Sequence, residues 1–104
     1  MKAVLTEAAR ADLAEIARHI GKDSIPTARR FTAALRTRAL AVGRNPRLYP
    51  FAAGLEDVGI RRRVYRDYLI LYVESDRRVE IIRIVHGSRD LPHVMSAASP
   101  SLRP

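Results

Sequence analysis

The chain has 104 residues, 47% of them hydrophobic, which suits one domain with its own core and argues against disorder. It contains no cysteine, so neither a disulfide nor a thiolate metal site is possible, in keeping with a reducing cytoplasm. The net charge of +8 is nearly all arginine, since Lys2 and Lys22 are the only lysines among 19 basic residues. Arginine's planar fork binds carboxylates and phosphates bidentately, so acidic protein surfaces and nucleic acid are the natural partners. No apolar run is long enough to span a membrane, and no signal-peptide core follows the start. His19, His86 and His93 lack metal-ligand spacing, and no cofactor motif is present.

Lys2–Leu5 reads as a short edge strand. Thr6 caps the following helix, with Glu7 at its positive end. Ala9, Leu13, Ile16, Ala17 and Ile20 recur at helical spacing and predict an amphipathic helix over 7–21, stopped at Gly21. Ser24 is the next cap, and Pro26 suits a first turn. Ala28, Phe31, Leu35, Ala39 and Val42 form the buried stripe of a second helix over about 25–43. Arg29, Arg30, Arg36 and Arg38 lie largely off that stripe. The short link makes the two helices a hairpin.

Residues 44–59 form a loop punctuated by Pro46, Pro50, Gly54 and Gly59. Its apolar Leu48, Tyr49 and Phe51 suggest that part of it packs down. Three strands follow at about 60–66, 68–74 and 78–86, joined by the short turns Arg66-Asp67 and Ser75-Asp76-Arg77 into an antiparallel meander. The single domain is expected to occupy 1–95, with 96–104, rich in Ser, Ala and Pro, as a mobile tail. The order β-α-α-β-β-β predicts an α+β fold, a helical hairpin on a small antiparallel sheet.

Arg61, Arg62 and Arg63 sit together on the first meander strand. Alternation puts Arg61 and Arg63 on one face and Arg62 on the other. At least one face is then solvated or bound to something acidic, which marks a partner surface. Arg83 has two expected roles, target contact or an ion pair with Glu80 or a helix carboxylate. His86 ends the last strand, either hydrogen-bonded to backbone or active in chemistry. Arg83 and His86 point to opposite faces of a regular strand and share a site only across a bulge. Arg89-Asp90 forms a local pair or contributes a target-binding arginine. Tyr65, Tyr68 and Tyr72 read as packing residues on the sheet.

These segments together resemble the RelE/ParE superfamily of type II toxin–antitoxin toxins. Gly59-Ile60-Arg61 is similar to the family's lead-in to the meander, and Tyr68-Leu69-Ile70-Leu71-Tyr72 to its central strand. Ile82-Arg83-Ile84-Val85-His86-Gly87-Ser88-Arg89-Asp90 is similar to its last strand and exit. Ala11-Asp12-Leu13 with Ile16, and Ala28 with Phe31, follow its helical pattern. The resemblance covers about residues 3–92 and implies one of two activities. RelE-like members cut mRNA in the ribosome; ParE-like members poison DNA gyrase.

The His-Gly-x-Arg-Asp ending is closer to ParE. The best-known RelE-like nucleases use loop lysines and a late tyrosine, whereas residues 44–59 hold no lysine and no tyrosine follows Tyr72. The resemblance therefore implies a gyrase-directed toxin with no favoured catalytic residue. Its target contacts would come from Arg61, Arg62, Arg63, Arg83 and Arg89. Its partner would be a cognate antitoxin with an acidic tail, docked on the outer sheet or in the groove beside the hairpin. The alternative is a ribosome-dependent mRNA endonuclease. There His86 would be base or acid, with Arg61 and Arg89 on phosphate and Glu56 and Asp57 as the nearest loop carboxylates. A further alternative is a basic nucleic-acid-binding module, whose affinity would fall steeply with salt.

Overall fold

A computed structural model describes residues 1–88 and 91–92. Arg89, Asp90, His93 and the expected tail 96–104 lie outside the described residues. The element order is β1 (Lys2–Leu5), α1 (Glu7–Gly21), α2 (Ile25–Ala41), β2 (Arg61–Tyr65), β3 (Tyr68–Ser75) and β4 (Arg78–His86), with 3-10 turns at Val42–Arg44 and Glu56–Val58.

Both helices start where their caps predict. The Thr6 hydroxyl accepts from the Ala9 amide and the Ser24 hydroxyl from the Thr27 amide, each satisfying one orphan donor of a first turn. Gly21 is the last residue of α1, not a left-handed stop beyond it, because Lys22 continues in right-handed geometry. The second helix ends at Ala41, where Val42–Arg44 tightens into a 3-10 turn.

The sheet order is β1-β4-β3-β2. The meander β2-β3-β4 is antiparallel as its short turns require. The sheet as a whole is mixed, however, because β1 runs parallel to β4, with Lys2 opposite Arg78 and Leu5 opposite Ile81. No tight turn joins β1 to β4, so nothing local imposes the antiparallel direction.

The core has two parts. On the helix side, Leu13 and Ile16 of α1 and Leu35 and Ala39 of α2 pack on Ile70, Tyr72, Val79, Ile81 and Ile84. The opposite face is covered by the loop, where Ala52, Leu55 and Ile60, with Leu91, bury Leu71, Ile82 and Val85. The loop does pack down, but not through all the residues expected. Tyr49 joins the helix-side core, whereas Leu48 and Phe51 stay exposed. The loop crosses the β2 edge, with the Arg62 amide donating to the Pro50 carbonyl and the Ala52 amide to the Ile60 carbonyl. This anchoring sends Ala52 and Leu55 to the far face.

One irregularity switches which residues of β4 face each core. Leu71 lies opposite Arg83 and Tyr72 opposite Ile81, so Ile82 is an extra residue, a β-bulge. Before it Val79 and Ile81 face the helices; after it Ile84 does, while Ile82 and Val85 face the loop.

The hairpin between β3 and β4 closes through Asp76 and Arg77, with φ of 36° and 67°. Such two-residue turns favour glycine because a side chain in left-handed geometry crowds its own backbone. Arg77→Gly is expected to raise stability by about 0.5–1 kcal/mol in urea unfolding.

Tyr72 is fully buried and its hydroxyl donates to the Pro46 carbonyl at 2.7 Å. Burial is the main cause raising its phenol above the usual value of 10.0, with Arg61 opposing. The folded state therefore keeps this proton where the unfolded chain gives it up. Its stabilising effect is complete below about pH 10 and falls as pH rises through the folded-state value. Alkaline unfolding curves should show this decline, shallower in Tyr72→Phe, which also loses about 1 kcal/mol with the hydrogen bond.

Candidate functional site

β1 pairs with β4 only as far as Ile81, so beyond it the edge of β4 lies open to α1. By strict alternation Arg83 and His86 would face opposite ways. The extra residue precedes both and leaves that opposition in place, but Arg83 reaches round the open edge of β4 to Asp12, so both line one cleft of about 240 Å³ between α1 and the end of β4. Asp12, Glu15, Ile16 and His19 form its other wall. They recur at i, i+3, i+4 and i+7 and so share one face of α1. Tyr68 forms the floor, its ring edge-on to His86 at 5.6 Å between centroids.

Inside the cleft Asp12 holds three donors. Arg83 gives its Nε to Oδ2 at 2.7 Å and its Nη2 to Oδ1 at 2.9 Å, and the Ile84 amide donates to Oδ2 at 2.8 Å. The two side chains are only 17% and 15% exposed, so this fork is partly desolvated. Of the two pairings expected for Arg83, the structure selects the helix carboxylate; Glu80 pairs with Arg78 instead. Glu15, at the solvent rim, is held below the ordinary carboxylate range by its hydrogen bond to Arg18 and the same cation's charge.

His86 is exposed at the strand end. Its Nδ1 lies 2.8 Å from the Ser88 hydroxyl and accepts from the Ser88 amide at 3.2 Å. That amide contact requires a lone pair on Nδ1, which puts the ring hydrogen of neutral His86 on Nε2. The expected backbone hydrogen bond is therefore present.

The arginine run occupies the other end of β2. Arg61 and Arg63 share the helix-side face, as alternation demands, but internal acceptors hold both. Arg61 donates to the Tyr49 carbonyl at 2.7 Å and Arg63 to the Arg38 carbonyl at 2.9 Å. Arg62, half-exposed on the opposite face, makes no side-chain hydrogen bond or ion pair among the described residues.

Arg61 and His86 do not converge. Arg61 pairs with Tyr72 and His86 with Tyr68, and four residues of strand separate these by about 13 Å. The arrangement proposed for RNA cleavage, with His86 and Arg61 in one site, is thus pulled apart. Arg89, its third member, lies outside the described residues. Among the described residues no group of three His, Asp or Glu is placed to hold a metal ion, and no helix is long and apolar enough to cross a membrane.

A second surface runs along the seam of the helical hairpin. Two adjoining depressions share Ala17, Arg29 and Thr32. Ala14, Ala17 and Ala33 give a shallow apolar floor, and Arg18, Arg29 and Arg36 form a cationic rim. Sequence reading anticipated a groove beside the hairpin but missed the Asp12–Glu15–His19 wall. The i, i+3, i+7 spacing of those polar residues beside an apolar stripe was the available signal.

Residues 3–91 match the family described as ParE toxin of type II toxin-antitoxin system, parDE. No curated protein matches the chain by sequence. In fold it is similar to a chain of the chromosomal ParDE TA system from P. aeruginosa, with a TM-score of 0.72 and 18% identity, over 83% of this chain and 95% of that one. The Asp12 fork yields a direct test. Asp12→Ala leaves the Arg83 charge and the Ile84 amide unpaired and is expected to cost about 3 kcal/mol in urea unfolding. Adding Arg83→Met should recover part of that loss, because the stranded charge is gone.

Proposed function

The chain belongs to the family of ParE toxins of type II toxin–antitoxin systems, and on that premise we propose that it acts in the cytoplasm on DNA gyrase, arresting replication and growth until a cognate antitoxin neutralises it. The family match over residues 3–91 carries this reading. The choice of gyrase is supported by the His86-Gly87-Ser88-Arg89-Asp90 ending and by the lack of lysine in the loop. The chemistry of the cleft agrees with it. Cleavage of RNA needs a base, an acid and a cation around one phosphate. Here the cleft's arginine is neutralised by Asp12 and Arg61 stands at the far end of the strand. The reading as a ribosome-dependent mRNA endonuclease loses its support on that ground.

Target contact falls to the arginines that keep donors to spare. Arg83 is committed to Asp12. Arg62 is not, and Arg61 and Arg63 each use one nitrogen on a carbonyl and leave the rest of the fork. Arg89 completes the set on the resemblance alone.

The antitoxin is assigned to the hairpin groove. An apolar floor with a rim of Arg18, Arg29 and Arg36 suits an amphipathic segment carrying acidic flanks. Charge complementarity with a +8 chain would speed its capture.

Purified chain is expected to block supercoiling by gyrase, with activity returning when the antitoxin is added. Unchanged supercoiling at a large excess of toxin over enzyme would rule the gyrase reading out.

A further inference from the structure

Four guanidinium groups line the junction of β2, the loop and the end of α2, and each lies over an aromatic ring. Arg61 sits 4.0 Å from the Phe51 centroid and Arg63 5.1 Å from that of Tyr49. Arg38 and Arg66 approach the Tyr65 ring at 5.0 and 5.9 Å. None of the four has a carboxylate partner among the described residues. Arg63 also donates to the Arg38 carbonyl near the end of α2, and Arg61 to the Tyr49 carbonyl. The row is thus pre-organised: rings and carbonyls fix the forks before any ligand arrives, which lowers the entropy lost on binding. Holding like charges together this way carries a repulsive cost that an anionic ligand relieves.

We propose that this row binds the phosphate backbone of a DNA duplex. Tyr49 and Tyr65 are half-buried beneath these groups and only Phe51 is exposed, so the row offers one ring and not a platform on which successive unpaired bases would stack. That favours a duplex, which presents phosphates and hides its bases, over a single strand. An acidic polypeptide fits less well. Its amphipathic form needs an apolar floor, which the hairpin groove has and this row lacks. Arg61 and Arg63, two residues apart on one strand face, place their Cα atoms about 6.6 Å apart, and Arg38 and Arg66 extend the row at Tyr65. This inference concerns the chain alone and does not depend on gyrase.

The test is fluorescence anisotropy of a labelled random-sequence duplex titrated with the purified chain over a series of salt concentrations. Arg38→Gln/Arg66→Gln, two exposed positions, should flatten the slope of log affinity against log salt by about 1.8, at roughly 0.9 per phosphate contact. Arg38→Lys/Arg66→Lys should retain most of the slope, showing that charge and not folding is read. Arg30→Gln/Arg77→Gln removes equal charge at exposed positions outside the row and should leave the slope unchanged. Four results would overturn the proposal: no duplex binding at low salt, equal losses in the two Gln pairs, tighter binding of a single strand than of the duplex, or equal competition by polyglutamate at matched charge. Loss of gyrase inhibition with duplex binding intact would count against the proposed function only.

Discussion

The extra residue in β4 is the constraint on which the other features rest. A regular strand offers one face to each side, and its side chains keep that allegiance along its length. Inserting Ile82 shifts the alternation halfway, so β4 contributes to the helix-side core on both sides of the bulge while Ile82 and Val85 anchor the loop beneath. A bulge also disturbs ladder hydrogen bonds, and buried backbone groups need partners. The chain leaving β1 supplies them. The Thr6 amide donates to the Ile81 carbonyl, and its hydroxyl reaches the carbonyls of Ile81 and Ile82. Six residues further, on α1, Asp12 takes the Ile84 amide and the Arg83 fork. The N-cap of α1 and the irregular part of β4 are therefore one unit.

That unit also fixes the polar side chains at the exit of β4. Arg83, reaching round the open edge of β4, and His86 join the α1 carboxylates in a single cleft, which is the first step in building a reaction centre. Asp12 then engages the arginine so fully that little of its fork remains for a substrate. A carboxylate fork on a partly desolvated arginine is strong and specific, and removing one partner is more costly than the pair's net contribution. The cleft works as the seam between helix and sheet.

The arginines divide by what holds them. Arg83, Arg78, Arg47 and Arg18 face carboxylates. Arg38, Arg61, Arg63 and Arg66 lie over rings. Arg29 and Arg36 rim the hairpin groove. Composition announced a basic protein, but the formal charge made no such distinction. An arginine over a ring stays a full cation available to an anion, while one forked on aspartate does not. Two surfaces of unlike character result, one with an apolar floor and one without.

Much of the architecture was legible in the chain because its signals are local. Thr6 and Ser24 mark the helix starts, the Leu13–Ile16 and Leu35–Ala39 stripes mark the buried faces, and the tight turns dictate an antiparallel meander. These depend on neighbours a few residues apart, which a sequence states directly. The ordered segments of the second half were also enough to suggest the ParE family. The parallel pairing of β1 with β4, the Ile82 bulge and the partners of Arg61 and Arg63 were not legible, and that of Arg83 was narrowed only to Glu80 or a helix carboxylate. Each joins residues far apart in the chain, and one extra residue in a strand reverses every facing beyond it. Sequence determined which residues are apolar, which are charged and where elements begin. Only the tertiary structure decided which charge meets which partner, because that depends on packing two cores against one bulged strand.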